Sequence, residues 1–168
     1  MSTMEADADR VASVSAVGGR RQGRLRERSD VEERKVNQPG LTEAQAARSL
    51  RMAQTAARVA AEQRGRDVVI LDMREVTPIF DYFVLATGSS RRQLHAMSEE
   101  IDHALEDDLG DRRQGIEGYD GSQWILLDYG NVMIHLFDDD TRKYYALEEL
   151  WGGAQRVPVP EASRTASE

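Results

Sequence analysis

A chain of 168 residues with no cysteine and a net charge of −8 has room for one domain with a sizeable core, and excludes a disulfide framework, a thiolate zinc site and a thiol nucleophile. Its 30 acidic against 22 basic side chains argue for a basic protein surface as partner rather than nucleic acid, whose phosphates are bound by Lys and Arg that release counterions. No apolar run approaches the ~20 residues of a membrane-spanning helix, and an opening with Glu5, Asp7 and Asp9 but no apolar stretch reads as neither secretory signal nor transit peptide, which points to the cytoplasm.

Residues 1–40 hold no aromatic side chain and no sustained apolar period, so they cannot bury enough surface to offset the entropy of ordering. A disordered arm is expected there. It carries 8 basic and 7 acidic side chains, which leaves 14 and 23 on the remainder, a net −9. Thr42 and Gln45 have capping-box spacing, and Ala46, Leu50, Ala53, Ala57 and Ala60 follow at helical spacing until Gly65 supplies a C-cap. Residues 68–73 are a short β-branched run, Thr77-Pro78 breaks the chain, and Asp81-Tyr82-Phe83-Val84-Leu85-Ala86 reads as a second buried strand. Ser90 and Gln93 repeat the capping-box spacing ahead of Leu94, Met97, Ile101 and Leu105, the apolar stripe of a second helix. Residues 116–119 read as an edge strand.

The segment 124–137 is the most informative. Two apolar runs flank Gly130-Asn131, and Gly at the first central position suits a two-residue type II′ hairpin turn. Such a turn pairs Tyr129 with Val132, Leu127 with Ile134 and Ile125 with Leu136 on one face, leaving Trp124, Leu126, Asp128, Met133, His135 and Phe137 on the other. A final helix is expected from Thr141, carrying Tyr144, Tyr145, Leu147, Leu150 and Trp151 until Gly152-Gly153 stops it. From Val157 onward, Pro158, Pro160 and small polar residues suit an unpacked end. The expected organisation is an arm over 1–40, a single α/β (α+β) domain over 41–153 with a mixed sheet and about three helices, and a flexible tail over 154–168. Whether the Trp124 face stays open for a partner or lies under the last helix is undecided at this level.

Signals for chemistry are weak. Gly88-Ser89-Ser90 between a strand and a helix could cradle a phosphate, which keeps a nucleotide-binding enzyme as the alternative. Magnesium-dependent transfer needs two carboxylates on one strand, whereas the nearest pair, Glu100 and Asp102, sits in the second helix with side chains roughly 200° apart. His95, Glu99 and His103 fall at i, i+4 and i+8, but successive members rotate by roughly 40°, and no fourth ligand is evident. His135 alternates with Met133 and Phe137 and has no nucleophile beside it, so it reads as a packed histidine. No catalytic residue, metal or cofactor is assigned.

The string Asp81-Tyr82-Phe83-Val84-Leu85-Ala86-Thr87-Gly88-Ser89-Ser90, then Glu117-Gly118, Trp124-Ile125-Leu126-Leu127-Asp128-Tyr129-Gly130, His135, Phe137 and residues 144–151 resemble the ribosome-silencing factor family, also called Iojap-like, across residues 44–152. The resemblance implies a mixed fold related to nucleotidyltransferases but lacking their activity. It also implies binding to ribosomal protein fourteen of the large subunit, which blocks joining of the small subunit and represses translation. Carried over by position, the partner-binding residues are Trp124, Leu126, Asp128, Tyr129, Met133 and His135. Asn131 departs from the acidic residue usual after the Tyr-Gly pair, which puts a charge contact at the turn in doubt. The cluster Arg20, Arg21, Arg24, Arg26 and Arg28 reads first as solvated charge and second as a minor ribosomal RNA contact. Homodimer formation off the ribosome is left open.

Overall fold

A computed structural model describes residues 39–162; the arm up to residue 38, with its Arg cluster, and the last six residues lie outside the described part. Among the described residues, those from residue 46 onward form one compact unit, which holds the sheet and the core.

Helix α1 spans Pro39–Glu62. It begins ahead of Thr42, so Thr42 and Gln45 fall inside the helix rather than capping it. Proline supplies the reason, since its locked φ and missing N–H suit a first helical turn. At the other end the left-handed residue is Arg64, with φ of 64°, and not Gly65. Arg64 N–H donates to the Ala61 carbonyl at 3.0 Å and Gly65 N–H to that of Ala60 at 2.8 Å, a Schellman pair. Gly65 is needed for clearance instead, because a Cβ there would sit 2.7 Å from the Ala60 oxygen and 2.9 Å from the Met97 sulfur.

The strands are β1 (Arg66–Asp72), β2 (Tyr82–Thr87), β3 (Gly115–Glu117), β4 (Trp124–Asp128), β5 (Val132–Phe137) and β6 (Gln155–Val157). They form a six-stranded sheet in the order β3-β4-β5-β2-β1-β6. Only β2 and β5 run parallel; the other neighbours are antiparallel. The expected mixed sheet is present, and β3 is the expected edge. The β6 strand was not anticipated. Its backbone pairs with β1 from Ile70↔Val157 to Asp72↔Gln155, so residues 155–157 are not part of an unpacked tail, and Val157 and Val159 pack on the core.

Helix α2 spans Arg91–Leu109, with Ser90 as N-cap accepting from the Gln93 N–H and Gly110 left-handed at its end. Helices α1 and α2 deliver Ala53, Ala57, Ala60, Leu94, Met97, Ile101 and Leu105 to one core, shared with alternate strand residues Ile70, Tyr82, Val84, Ile125, Leu127, Ile134 and Leu136. The hairpin pairs Ile125↔Leu136 and Leu127↔Ile134 as expected. Gly130 has φ of 83° while Asn131 keeps the ordinary sign, which is the type II′ turn.

The expected last helix is two. Asp138 caps α3 (Asp139–Tyr145) by accepting the Thr141 N–H, so the helix starts ahead of Thr141. Ala146, left-handed at φ of 42°, separates it from α4 (Leu147–Leu150). Among the described residues no helix is long and apolar enough to cross a membrane.

Candidate functional site

The hairpin projects Trp124, Leu126, Asp128, Met133, His135 and Phe137 to the side of the sheet away from α1 and α2. Short helices and the chain after them cover that side. Tyr145 of α3 packs on Trp124 with ring centroids 5.0 Å apart, Trp151 meets Phe83 edge-on at 6.2 Å, and Arg142 donates to the Thr87 hydroxyl at 2.9 Å. Thr87 itself is buried, and Arg142 also holds Glu148.

This settles what the sequence left open, and it divides the six candidate residues. Leu126 and Met133 are 6% exposed and His135 1%, so they lie beneath the cover and support the surface rather than form it. Tyr129 is on the other face altogether. It packs in the α1–α2 core and donates its hydroxyl to Asp102, and burial together with that carboxylate raises its pKa far above the ordinary phenol. Two turn residues apart from Val132, it obeys the hairpin alternation, which sets it apart from the other residues that the family resemblance implies. Trp124 and Asp128 alone of the six are half-exposed. Asp128 also accepts the Gly130 N–H at 2.8 Å and so braces the turn.

Two residues reach the surface that were not among the candidates: Tyr144 is 61% and Leu150 64% exposed, the large apolar side chains left open among the described residues. The rings of Tyr144 and Tyr145 meet edge-on at 5.0 Å. A continuous aromatic run therefore leads from Trp124 through Tyr145 to Tyr144. The sequence places Tyr144, Tyr145 and Leu150 on one expected helix, and the break at Ala146 gives them different environments.

Below this surface, the Trp124 indole N–H donates to His135 Nδ1 at 3.2 Å. An indole N–H can only donate, so Nδ1 carries the lone pair and Nε2 the proton. Nε2 is buried with no hydrogen-bond partner. The burial pulls the His135 pKa down to about 3, keeping the ring neutral.

The chemistry weighed against a binding role finds its groups occupied. Gly88 N–H donates to the Phe137 carbonyl at 2.8 Å, Ser89 N–H to the Gln93 side-chain oxygen at 2.6 Å, and Gln93 N–H to the Ser90 hydroxyl. The loop thus spends these amides on its own fold rather than on a phosphate. Gly88 is required because a Cβ would meet Leu94 at 2.8 Å. Asp102 turns to Tyr129 and Arg113, while Glu100 is exposed. His95 bonds the Tyr119 carbonyl and the Ser122 hydroxyl, Glu99 accepts the Tyr119 hydroxyl, and His103 pairs with Asp107. Among the described residues, no three His, Asp or Glu side chains gather to hold a metal ion.

The fold and its pairing place the chain in the class of α+β domains built on one mixed sheet with helices on both faces. Within that class the chain belongs to the family described as ribosomal silencing factor during starvation, whose model matches residues 46–168. It is 40% identical over 93 residues to the ribosomal silencing factor RsfS of Bacillus subtilis (strain 168), covering 55% of this chain and 78% of that one. To the mitochondrial assembly of ribosomal large subunit protein 1 of Mus musculus it is 34% identical over 92 residues, covering 54% and 40%. A crystal structure of a Chromobacterium violaceum protein superposes with a TM-score of 0.59 at 30% identity, covering 70% of this chain and 98% of that one.

Proposed function

We propose that this chain docks on the large ribosomal subunit through ribosomal protein fourteen and, by occupying the subunit-joining face, keeps the small subunit away and represses translation in the cytoplasm without chemistry of its own. The observation that carries this reading is the aromatic run from half-buried Trp124 to exposed Tyr144, in a family of ribosomal silencing factors. Half-buried aromatic side chains are the usual anchors of protein interfaces, and truncating a central one typically costs ~2 kcal/mol or more. Asp128, on the same face of β4 as Trp124, and exposed Glu149 of α4 supply acidic charge for a basic ribosomal protein. The effect is steric, so it needs neither a nucleophile nor a metal.

The test is sedimentation with isolated large subunits, followed by joining of purified subunits. The protein should travel with large subunits and lower the yield of complete ribosomes, and Trp124→Ala should lose most of both effects. Subunit joining that is unchanged at saturating protein ends the proposal.

A further inference from the structure

We infer that His135 is a positioning residue for the docking surface: from beneath, it accepts the Trp124 indole N–H and fixes the plane in which that side chain meets its partner. The inference rests on the docking reading above and assigns His135 a different part in it. At 1% exposure the imidazole cannot touch a partner, so whatever it contributes passes through a neighbour. The neighbour is Trp124, whose N–H points at Nδ1 from 3.2 Å.

The imidazole is itself held. It stacks on Phe137 with centroids 5.9 Å apart and planes 7° apart, and meets Phe83 at 4.8 Å and 62°. Phe83 is braced by Phe80 at 5.3 Å and Trp151 at 6.2 Å. Its acceptor atom is therefore fixed in place, and burial keeps the ring neutral so that Nδ1 stays available to accept. Trp124 is packed on Phe137 and Tyr145, each at 5.0 Å, contacts that hold the faces of the indole and give its N–H no direction. The hydrogen bond selects one orientation.

A phenylalanine at position 135 would carry no buried ring N–H in need of a partner. Instead the chain carries a sealed Nε2–H without a partner, which is unfavourable for the fold. What histidine supplies and phenylalanine cannot is the acceptor for the indole. An anchor already oriented in the free protein loses less side-chain freedom on binding, so the benefit appears in affinity rather than in stability.

The experiment uses the full chain, labelled with nitrogen-15, as His135→Phe, His135→Asn, Trp124→Phe and the double variant with both phenylalanines. Two tryptophans give two indole resonances, and Trp124→Phe identifies which belongs to Trp124. His135→Phe should move that resonance toward a free indole, speed its proton exchange, keep the melting temperature, and weaken binding to isolated large subunits about tenfold. His135→Asn, whose side-chain oxygen can stand near the Nδ1 position, should restore most of both signals. If His135 acts through the indole N–H, the double variant binds no worse than Trp124→Phe alone. An unmoved indole resonance in His135→Phe, or losses that add in the double variant, overturns the inference. Should His135→Phe fail to fold, Trp124→Phe decides, since full affinity without the indole donor also overturns it. Wild-type protein that ignores large subunits would instead end the docking reading, and the indole resonance would still decide the positioning.

Discussion

The two faces of one hairpin are both largely buried and built for different ends. Toward α1 and α2, Ile125, Leu127, Val132, Ile134 and Leu136 are 0% exposed among aliphatic neighbours. The opposite residues Leu126, Met133, His135 and Phe137 are nearly as dry, yet their cover is thin, a seven-residue and a four-residue helix broken at Ala146. Through that cover Trp124 and Tyr144 reach solvent. The contrast teaches that burial alone does not say what a face is for. A thick aliphatic layer maximises dispersion and the area removed from water, whereas a thin aromatic layer with an internal hydrogen bond holds side chains in position at the surface.

The largest effect should come from the aliphatic face. Ile134→Ala should cost about 2–5 kcal/mol of unfolding free energy in denaturant titration, because a sealed site cannot collapse onto the cavity. Large-subunit affinity of the folded protein should stay near wild type. A comparable loss of affinity at full stability would show that the two faces do not divide their tasks.

The aromatic face should reveal itself through pH. Unfolded His135 titrates near its ordinary value of 6.5 and the folded ring at about 3, so below about pH 6.5 the unfolded chain takes up a proton that the folded chain refuses. Stability is therefore lost as pH falls, by about 2 kcal/mol between pH 7 and pH 5. Thermal melts of wild type and His135→Phe across that range measure it, since the variant lacks this slope. Identical slopes would mean that the ring is not sealed.

Smaller changes belong to the outer surface. Tyr144→Ala should weaken large-subunit binding by about 1–2 kcal/mol with little change in melting, as an exposed anchor at the end of the run. Asp128→Asn keeps an oxygen for the Gly130 N–H while removing the charge, so it isolates the electrostatic part. We expect a loss of severalfold at low ionic strength that closes at roughly 0.5 M salt. A salt-independent loss would assign Asp128 to bracing the turn instead. Smallest of all, deleting residues 1–38 should leave melting unchanged, because that stretch has no apolar period; circular dichroism melts check it.

Much of the fold was legible because its signals are local. Gly130-Asn131 between alternating runs gives the hairpin register, and Ser90 with Gln93 marks the start of α2. Local signals also misled. Gly65 reads as the C-cap, yet Arg64 takes the left-handed position, and the Gln93 side chain reaches the Ser89 N–H and the carbonyls of Gln63 and Arg64 rather than closing a capping box on Ser90. Of the six candidate residues, only Trp124 and Asp128 reach solvent in the fold. The family resemblance groups Tyr129 with them, although the alternation of the hairpin already sends it to the opposite face.

Turn type, strand alternation, apolar stripes, and the membership that a long ordered set of motifs carries depend on neighbours along the chain and are legible without a fold. Tertiary structure alone decided that β2 and β5 lie side by side in parallel, that Gln155–Val157 closes the sheet against β1, and that a left-handed Ala146 splits the last helix so that Tyr145 covers Trp124 while Tyr144 stays exposed. The reason is physical. Such features are settled by contacts between residues far apart in the chain, where the balance of burial and backbone pairing outweighs the preference of any single residue.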